Sequence, residues 1–260
     1  MIKKTIYALI IIACMVPPTY MGGMWLQILL GLIAFAVAYE INALLQEPVN
    51  YFQIAFTTGA IMAIEYAPNN AVFGYIIAWV MLLFVIDIVS NDANAHFIAY
   101  TFLISMIVSI AMRTVHNLYL MNGAHNGFYV LLYVCLACYL CDTGAYFFGS
   151  FYGKRKLAPN ISPNKTWEGA IGGYILGAVG SLIYGLLVLD YLPKSMIIVA
   201  SLVLPIFAQY GDLSFSLIKR KFGKKDFGSF LPGHGGVLDR VDSLIFALIA
   251  FQAMMVMWGL

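Results

Sequence analysis

Apolar residues in this chain come in long unbroken runs, not in the alternation of a half-buried strand or the one-sided stripe of a soluble helix. The runs stop at Pro, Gly, Asn and charge clusters, and nine can be drawn: Thr5 to Met21, Met24 to Leu45, Tyr51 to Ala67, Ala71 to Ser90, Ala95 to Val115, Gly127 to Gly149, Trp167 to Leu189, Ser195 to Gly211 and Val241 to Gly259. A bilayer core about 30 Å thick takes roughly 17–25 apolar residues per helix, so each run reads as a spanning helix. Helices are favoured over barrel strands because the runs are continuous and because backbone in lipid must satisfy its own hydrogen bonds. The predicted fold is all-α, a polytopic integral membrane protein with about nine transmembrane helices. Residues 1–126 are expected to form N-terminal scaffold helices and residues 127–260 a C-terminal transmembrane region within one integrated membrane domain, the one in which the candidate chemistry described below lies.

Composition agrees: 62% of the 260 residues are hydrophobic, against 14 basic and 12 acidic side chains. Such a chain is not a soluble globular domain, a disordered segment or a disulfide scaffold. A net charge of +2 gives no argument for a nucleic-acid partner. Its distribution is more telling. With the N-terminus cytoplasmic, one side carries Lys3, Lys4, Lys154, Arg155, Lys156, Lys165, Lys219, Arg220, Lys221, Lys224, Lys225 and Arg240, which is 12 of the 14 basic residues. Arg113 and Lys194 fall on the other side, as the positive-inside rule requires.

Several features read as structure. Lys3 and Lys4 followed by an apolar run up to Cys14 permit a lipoprotein-signal reading, but the pattern is short and frequent in apolar sequence. Cys135, Cys138 and Cys141 are spaced like iron–sulfur ligands, yet no fourth cysteine lies near, and small packing residues are the simpler reading. His96, His116 and His125 show no ligand spacing, and there is no P-loop motif. Gly169, Gly173 and Gly177 place a small residue on one face at every fourth position, a close-packing stripe, either internal or at a dimer interface.

The candidate chemistry lies on the basic side. Asp142 sits inside the sixth span, where a carboxylate is costly unless paired or functional, whereas Glu40, Glu65 and Asp87 lie nearer span ends and are expected at the interface. Ser162 followed by Pro163 reads as N-cap and first residue of the seventh helix, a positive dipole end beside Lys165 that suits phosphate. Asp212, Ser216, Lys219 and Arg220 share one helix face. The turn Gly233, His234, Gly235, Gly236 allows close backbone approach, and Asp239 and Asp242 open the last span. Carboxylates among cations and a glycine-rich turn suit Mg²⁺ with a polyphosphate.

From Ser216 to Asp242 the sequence resembles the phosphatidate cytidylyltransferases, or CDP-diacylglycerol synthases. Their signature is S-x-hydrophobic-K-R, then K-D, then P-x-H-G-G-hydrophobic-x-D-R-hydrophobic-D. Upstream, DTGAYFFG from Asp142, Gly153-Lys154 and ISPNKTWEG from Ile161 look like that family's other blocks. The resemblance covers residues 138–246. Phe215 stands where Glu is common in the family, Phe227 where Ser is common and Asn164 where Lys is usual.

The resemblance implies that Asp212 and Asp239 bind a catalytic Mg²⁺, that a second cation can join it, and that Lys165, Lys219, Arg220 and Arg240 contact phosphates. Asp142 joins these as a catalytic candidate. Ser162, Thr166, Ser216, Lys225, Asp226, His234, Gly235, Gly236 and Asp242 are carried over as substrate-binding positions. It further implies CTP and phosphatidic acid as substrates, CDP-diacylglycerol and pyrophosphate as products, and a homodimer. The alternatives are a CTP-dependent enzyme acting on another lipid, a polyprenol or an isoprenoid ether lipid, and an anion transporter. The short chain without a soluble N-terminal extension leads to the expectation of a bacterial inner (cell) membrane, with the site facing the cytoplasm.

Overall fold

A computed structural model describes residues 13–45, 48–90, 94–228 and 235–260. After a helical stretch over residues 13–21 come helices α1 (Gly23–Leu45), α2 (Tyr51–Tyr66), α3 (Val72–Ser90) and α4 (Ala95–Tyr152). Two short strands follow, β1 (Lys156–Ala158) and β2 (Ser162–Thr166), then α5 (Trp167–Val188), α6 (Lys194–Lys221) and α7 (Leu238–Met257). Six of the described helices, α1 and α3 to α7, are long and apolar enough to cross a bilayer. The all-α membrane architecture stands, interrupted by one antiparallel hairpin of β1 and β2.

The nine expected spans map unevenly onto these elements. The fifth and sixth fall within α4, whose 58 residues are broken at Gly123 by a non-helical backbone (φ 73°, ψ 172°). Asn122-Gly123 thus separates two helices that run on into each other. The third span is the 16-residue α2, and the first lies partly outside the described residues.

The chain folds as two compact units: one takes in the chain up to Tyr119 with Asp226–Arg240, the other Leu120–Lys225 with Val241–Leu260. In the first unit, Leu26, Leu30, Ala34, Val37 and Ile41 line a buried face of α1 at helical spacing, and Ile54, Thr57, Ile61 and Ile64 line one of α2. Polar pairs fix the helix ends, because lipid offers no partner for a loose donor. Asn42 Nδ2 donates to Gln53 Oε1 at 2.9 Å, and Asn50 caps α2 through its side-chain oxygen. At the far end of α2, Arg113 Nη1 donates to the carbonyls of Ile64, Glu65 and Ala67.

In the second unit the glycine stripe is spent internally. A Cβ at Gly169 would come within 2.7 Å of Ala145 O, one at Gly173 within 2.5 Å of Cys141 O, and one at Gly177 within 2.7 Å of Ala137 O. The stripe therefore lets α5 lie against the backbone of the second half of α4, so it is not the dimer interface allowed for by the sequence reading. Gly144 meets it from the other side, its own Cβ position 3.0 Å from Gly173 Cα. Cys138 and Cys141 are free and buried in this unit, in keeping with a packing role.

Candidate active site

Hairpin, α4, α6 and α7 bring one group of candidate residues together within the second unit. Lys165 is the penultimate residue of β2, which pairs with β1 through Lys156↔Thr166 and Ala158↔Ser162. The hairpin is held by Glu168, whose carboxylate accepts the amides of Lys154 (3.0 Å) and Arg155 (3.2 Å), and by Trp167 N–H donating to Arg155 O at 2.9 Å. Glu168 was not singled out in the sequence, since an exposed acid in a first helical turn is unremarkable.

Lys165 Nζ meets Asp212 Oδ2 at 2.5 Å, and Ser216 Oγ, one turn further along α6, donates to Asp212 Oδ1 at 3.3 Å. Asp142 Oδ2 accepts from Ser243 Oγ at 3.3 Å, and Asp242 Oδ1 from Ser243 N–H at 2.8 Å. Asp142, Asp212 and Asp242 feel one another's charge, with Lys165 and Lys219 as the opposing cations. Asp242 and Lys219 are almost fully buried. Arg220 is committed to backbone carbonyls, those of Ile161 at 3.1 Å and Lys224 at 3.0 Å.

The start of the helix after the hairpin corrects the sequence reading. Ser162 and Pro163 are not N-cap and first helical residue; both lie in β2. Thr166 is the N-cap, extended at φ −126° and ψ 155°, with its hydroxyl accepting Gly169 N–H at 3.2 Å. Strand pairing takes Ser162, and Thr166 is a competent cap in its place. Pro163 is tolerated because an edge strand can lack a donor. The dipole end thus lies directly after Lys165, four residues later than expected. Gly149, Gly153 and Gly169 crowd around the Thr166 side chain, where a Cβ would approach its Oγ1 to 3.3, 2.9 and 3.0 Å respectively.

The second group belongs to the first unit. Asp239, in the first turn of α7, accepts through Oδ2 the amides of Phe227 and Gly236, both at 2.9 Å. Gly235 adopts φ 81° beside the carboxylates of Asp239 and Asp226, a left-handed conformation that favours glycine. Glu40 closes the same loop: Oε1 accepts Val237 N–H at 2.6 Å and Oε2 accepts Leu238 N–H at 2.9 Å. Glu40 lies near a span end, as the sequence reading has it, but is turned into the protein and is 1% exposed; Glu65 and Asp87 are buried too. Lys225, Asp226 and Arg240 are exposed. Gly233 and His234 lie outside the described residues.

Two of the residues that depart from the family pattern are packing residues. Phe215 is fully buried and sets its ring edge-on to Phe246, centroids 6.1 Å apart. Phe227 is 2% exposed and contributes its backbone N–H to Asp239. Asn164 is exposed on β2.

Among the described residues no three His, Cys, Asp or Glu side chains are grouped as a ready-made metal cage. Mg²⁺ does not require one, since it keeps several waters and takes one or two carboxylates together with substrate phosphate oxygens. The donors in both groups are hard carboxylate and hydroxyl oxygens, and in the second unit the Asp142 and Asp242 carboxylates each feel the charge of Asp212 and of a lysine, Lys165 or Lys219. Their chemistry fits a hard divalent cation.

The fold is that of a polytopic α-helical membrane protein with one hairpin among the described residues, and acids and cations stand at its helix ends and on that hairpin. The model of the cytidylyltransferase family matches residues 2–258, and the chain belongs to that family. A phosphatidate cytidylyltransferase of Staphylococcus haemolyticus is 35% identical over 251 residues, 94% of this chain and 95% of that protein. Those of Staphylococcus saprophyticus and Bacillus subtilis are 43% identical over 142 residues and 44% over 122. These two matches span about half of either chain, 55% and 45% of the relatives' lengths.

Proposed function

We propose that the protein transfers the cytidylyl group of CTP to phosphatidic acid, giving CDP-diacylglycerol and pyrophosphate at the cytoplasmic face of a bacterial cell membrane. The end-to-end similarity to the Staphylococcus haemolyticus phosphatidate cytidylyltransferase carries this reading. The site's chemistry supports it. A phosphate monoester is already largely ionised at pH 7, so its oxygen attacks the α-phosphorus of CTP without a general base. The bond from that phosphorus to the α,β-bridging oxygen breaks, and pyrophosphate leaves with the electron pair. Positioning and charge stabilisation suffice for such a transfer.

In this reading Lys165 exchanges Asp212 for a phosphate oxygen when substrate arrives, and Lys219, Arg220 and Arg240 supply further positive charge. The amides at the start of α5, behind Thr166, favour another phosphate group. Asp212 and Asp239 would hold Mg²⁺, with Asp142 and Asp242 adding negative charge that suits a second cation. Such an ion neutralises charge on the transferring phosphates. A homodimer belongs to the same reading, through a face other than the glycine stripe.

The test is lipid-dependent pyrophosphate release from CTP by the purified protein in detergent, with phosphatidate, a polyprenol or no lipid. Release with phosphatidate alone, abolished by chelation and by Asp212→Asn, is the expected result. Release with polyprenol alone, or none from folded protein, would overturn it.

A further inference from the structure

The N-terminal helices have no part in the transfer as drawn above, yet one of their side chains grips the loop that delivers Asp239. Glu40 lies near the C-terminal end of α1, buried, and both of its oxygens are engaged by consecutive amides, Val237 N–H at 2.6 Å and Leu238 N–H at 2.9 Å. These amides lie at the start of α7, where a helix has no internal acceptor for them and where its dipole favours an anion. Gly236 makes the approach possible: a Cβ there would lie 2.6 Å from Glu40 Oε1. Gly228 also passes close, its Cβ position 3.1 Å from Glu40 Cγ.

The loop so held turns through Gly235 and closes on Asp239, whose Oδ2 accepts Phe227 N–H and Gly236 N–H. Glu40 thus fixes the backbone at 237 and 238, adjoining the Gly236 amide that orients the Asp239 carboxylate. Asp239 repels Glu40 electrostatically, and a neutral Ser, Thr or Asn would cap the helix without that repulsion. Two acids at one helix start are therefore an expensive way to obtain a cap alone. What the second acid adds is a two-pronged hold on successive amides.

We propose that Glu40 is a positioning residue for the reaction: it makes no contact with substrate and acts by holding residues 236–238 so that Asp239 presents its carboxylate in one orientation. The inference rests on the role given to Asp239 above. Partners of metal-binding side chains typically change metal affinity or activity about 10–100-fold when removed.

The experiment uses the full-length protein in detergent with Glu40→Ala, Glu40→Gln and Asp239→Asn. Hydrogen–deuterium exchange without metal or substrate reads the contact itself. Exchange at Val237 and Leu238 is expected to quicken roughly tenfold or more in Glu40→Ala and less in Glu40→Gln, which keeps one acceptor oxygen, with other helices unchanged. Turnover should fall about 10–100-fold and the Mg²⁺ concentration for half activity should rise, with KM for phosphatidate unchanged. Faster local exchange with wild-type turnover and Mg²⁺ response would overturn positioning, as would wild-type exchange. Should Glu40→Ala not fold, the same criteria apply to Glu40→Gln. Retained activity in Asp239→Asn would instead overturn the role of Asp239, while the exchange data would still report the Glu40 contact.

Discussion

Lys165 Nζ lies 2.5 Å from Asp212 Oδ2, a contact that ties the hairpin strand β2 to helix α6. The two side chains are 24% and 29% exposed, so the pair is bathed by solvent on one side and adds little to stability. Under the function proposed above, the place of Lys165 near the Asp142 carboxylate would give it another purpose, that of a cationic donor held by Asp212 until a phosphate takes it over.

Lys165→Met should therefore separate function from folding. The melting temperature in detergent should drop by no more than about 1 kcal/mol of stability allows. CTP-dependent pyrophosphate release should fall roughly 10²–10³-fold, the usual loss when one charged donor to a developing anion is removed. A large melting shift accompanied by unchanged turnover would mean that the pair is structural.

Phe215 invites the opposite expectation. The family pattern places Glu there, yet this ring is fully buried against Phe246. Restoring the family residue with Phe215→Glu should not improve activity: it puts a carboxylate where a buried ring packs on Phe246, at a cost of about 3–5 kcal/mol. Thermal unfolding followed in detergent measures this, with Phe215→Leu as the milder comparison.

How much of this was legible follows from the reach of each interaction. Asp212 and Ser216 are one helical turn apart, so their shared face could be read from spacing, and the hydrogen bond between them follows it. Spans α5 and α7 were bounded within a few residues because a bilayer leaves little choice of length. The start of α5 was misplaced because Ser162-Pro163 and Thr166 are both competent caps, and the choice was made by pairing with β1, which sequence spacing does not show. The partners of Glu40 were hidden for the same reason on a larger scale. An acid near a span end is ordinarily interfacial, and its partners, Val237 and Leu238, are 197 and 198 residues away in the chain. The glycine stripe announced close approach but not its partner, which is the backbone around Cys141.

That partner makes the stripe testable. Gly173→Ala forces a Cβ to 2.5 Å from Cys141 O and 2.9 Å from Ala145 N, both backbone atoms that cannot swing away. Destabilisation of about 1–3 kcal/mol is expected. Gly74→Ala in α3 meets nothing within 4 Å and should be neutral or add about 0.5–1 kcal/mol, through the better helix propensity of alanine. Parallel thermal melts of the two variants decide it, and equal melting temperatures would mean that α5 does not rest on α4 as described.

Gly236→Ala carries the same logic to the loop before α7. The added methyl would stand 2.6–2.7 Å from the Glu40 carboxylate atoms, so either Glu40 withdraws from Val237 and Leu238 or the loop shifts with the Asp239 contact. Both routes loosen the start of α7. Gly235→Ala fails differently, by forcing an alanine into φ 81°, a conformation that costs about 1–2 kcal/mol outside glycine. The two substitutions are distinguished by a second change: shortening the acid with Glu40→Asp relieves the clash at position 236 and leaves the backbone strain at 235 untouched. Pyrophosphate release should thus recover in part in Gly236→Ala with Glu40→Asp, and not at all in Gly235→Ala with Glu40→Asp. Equal behaviour of the two double variants would show that the loop tolerates the glycines' replacement for reasons unrelated to the acid on α1.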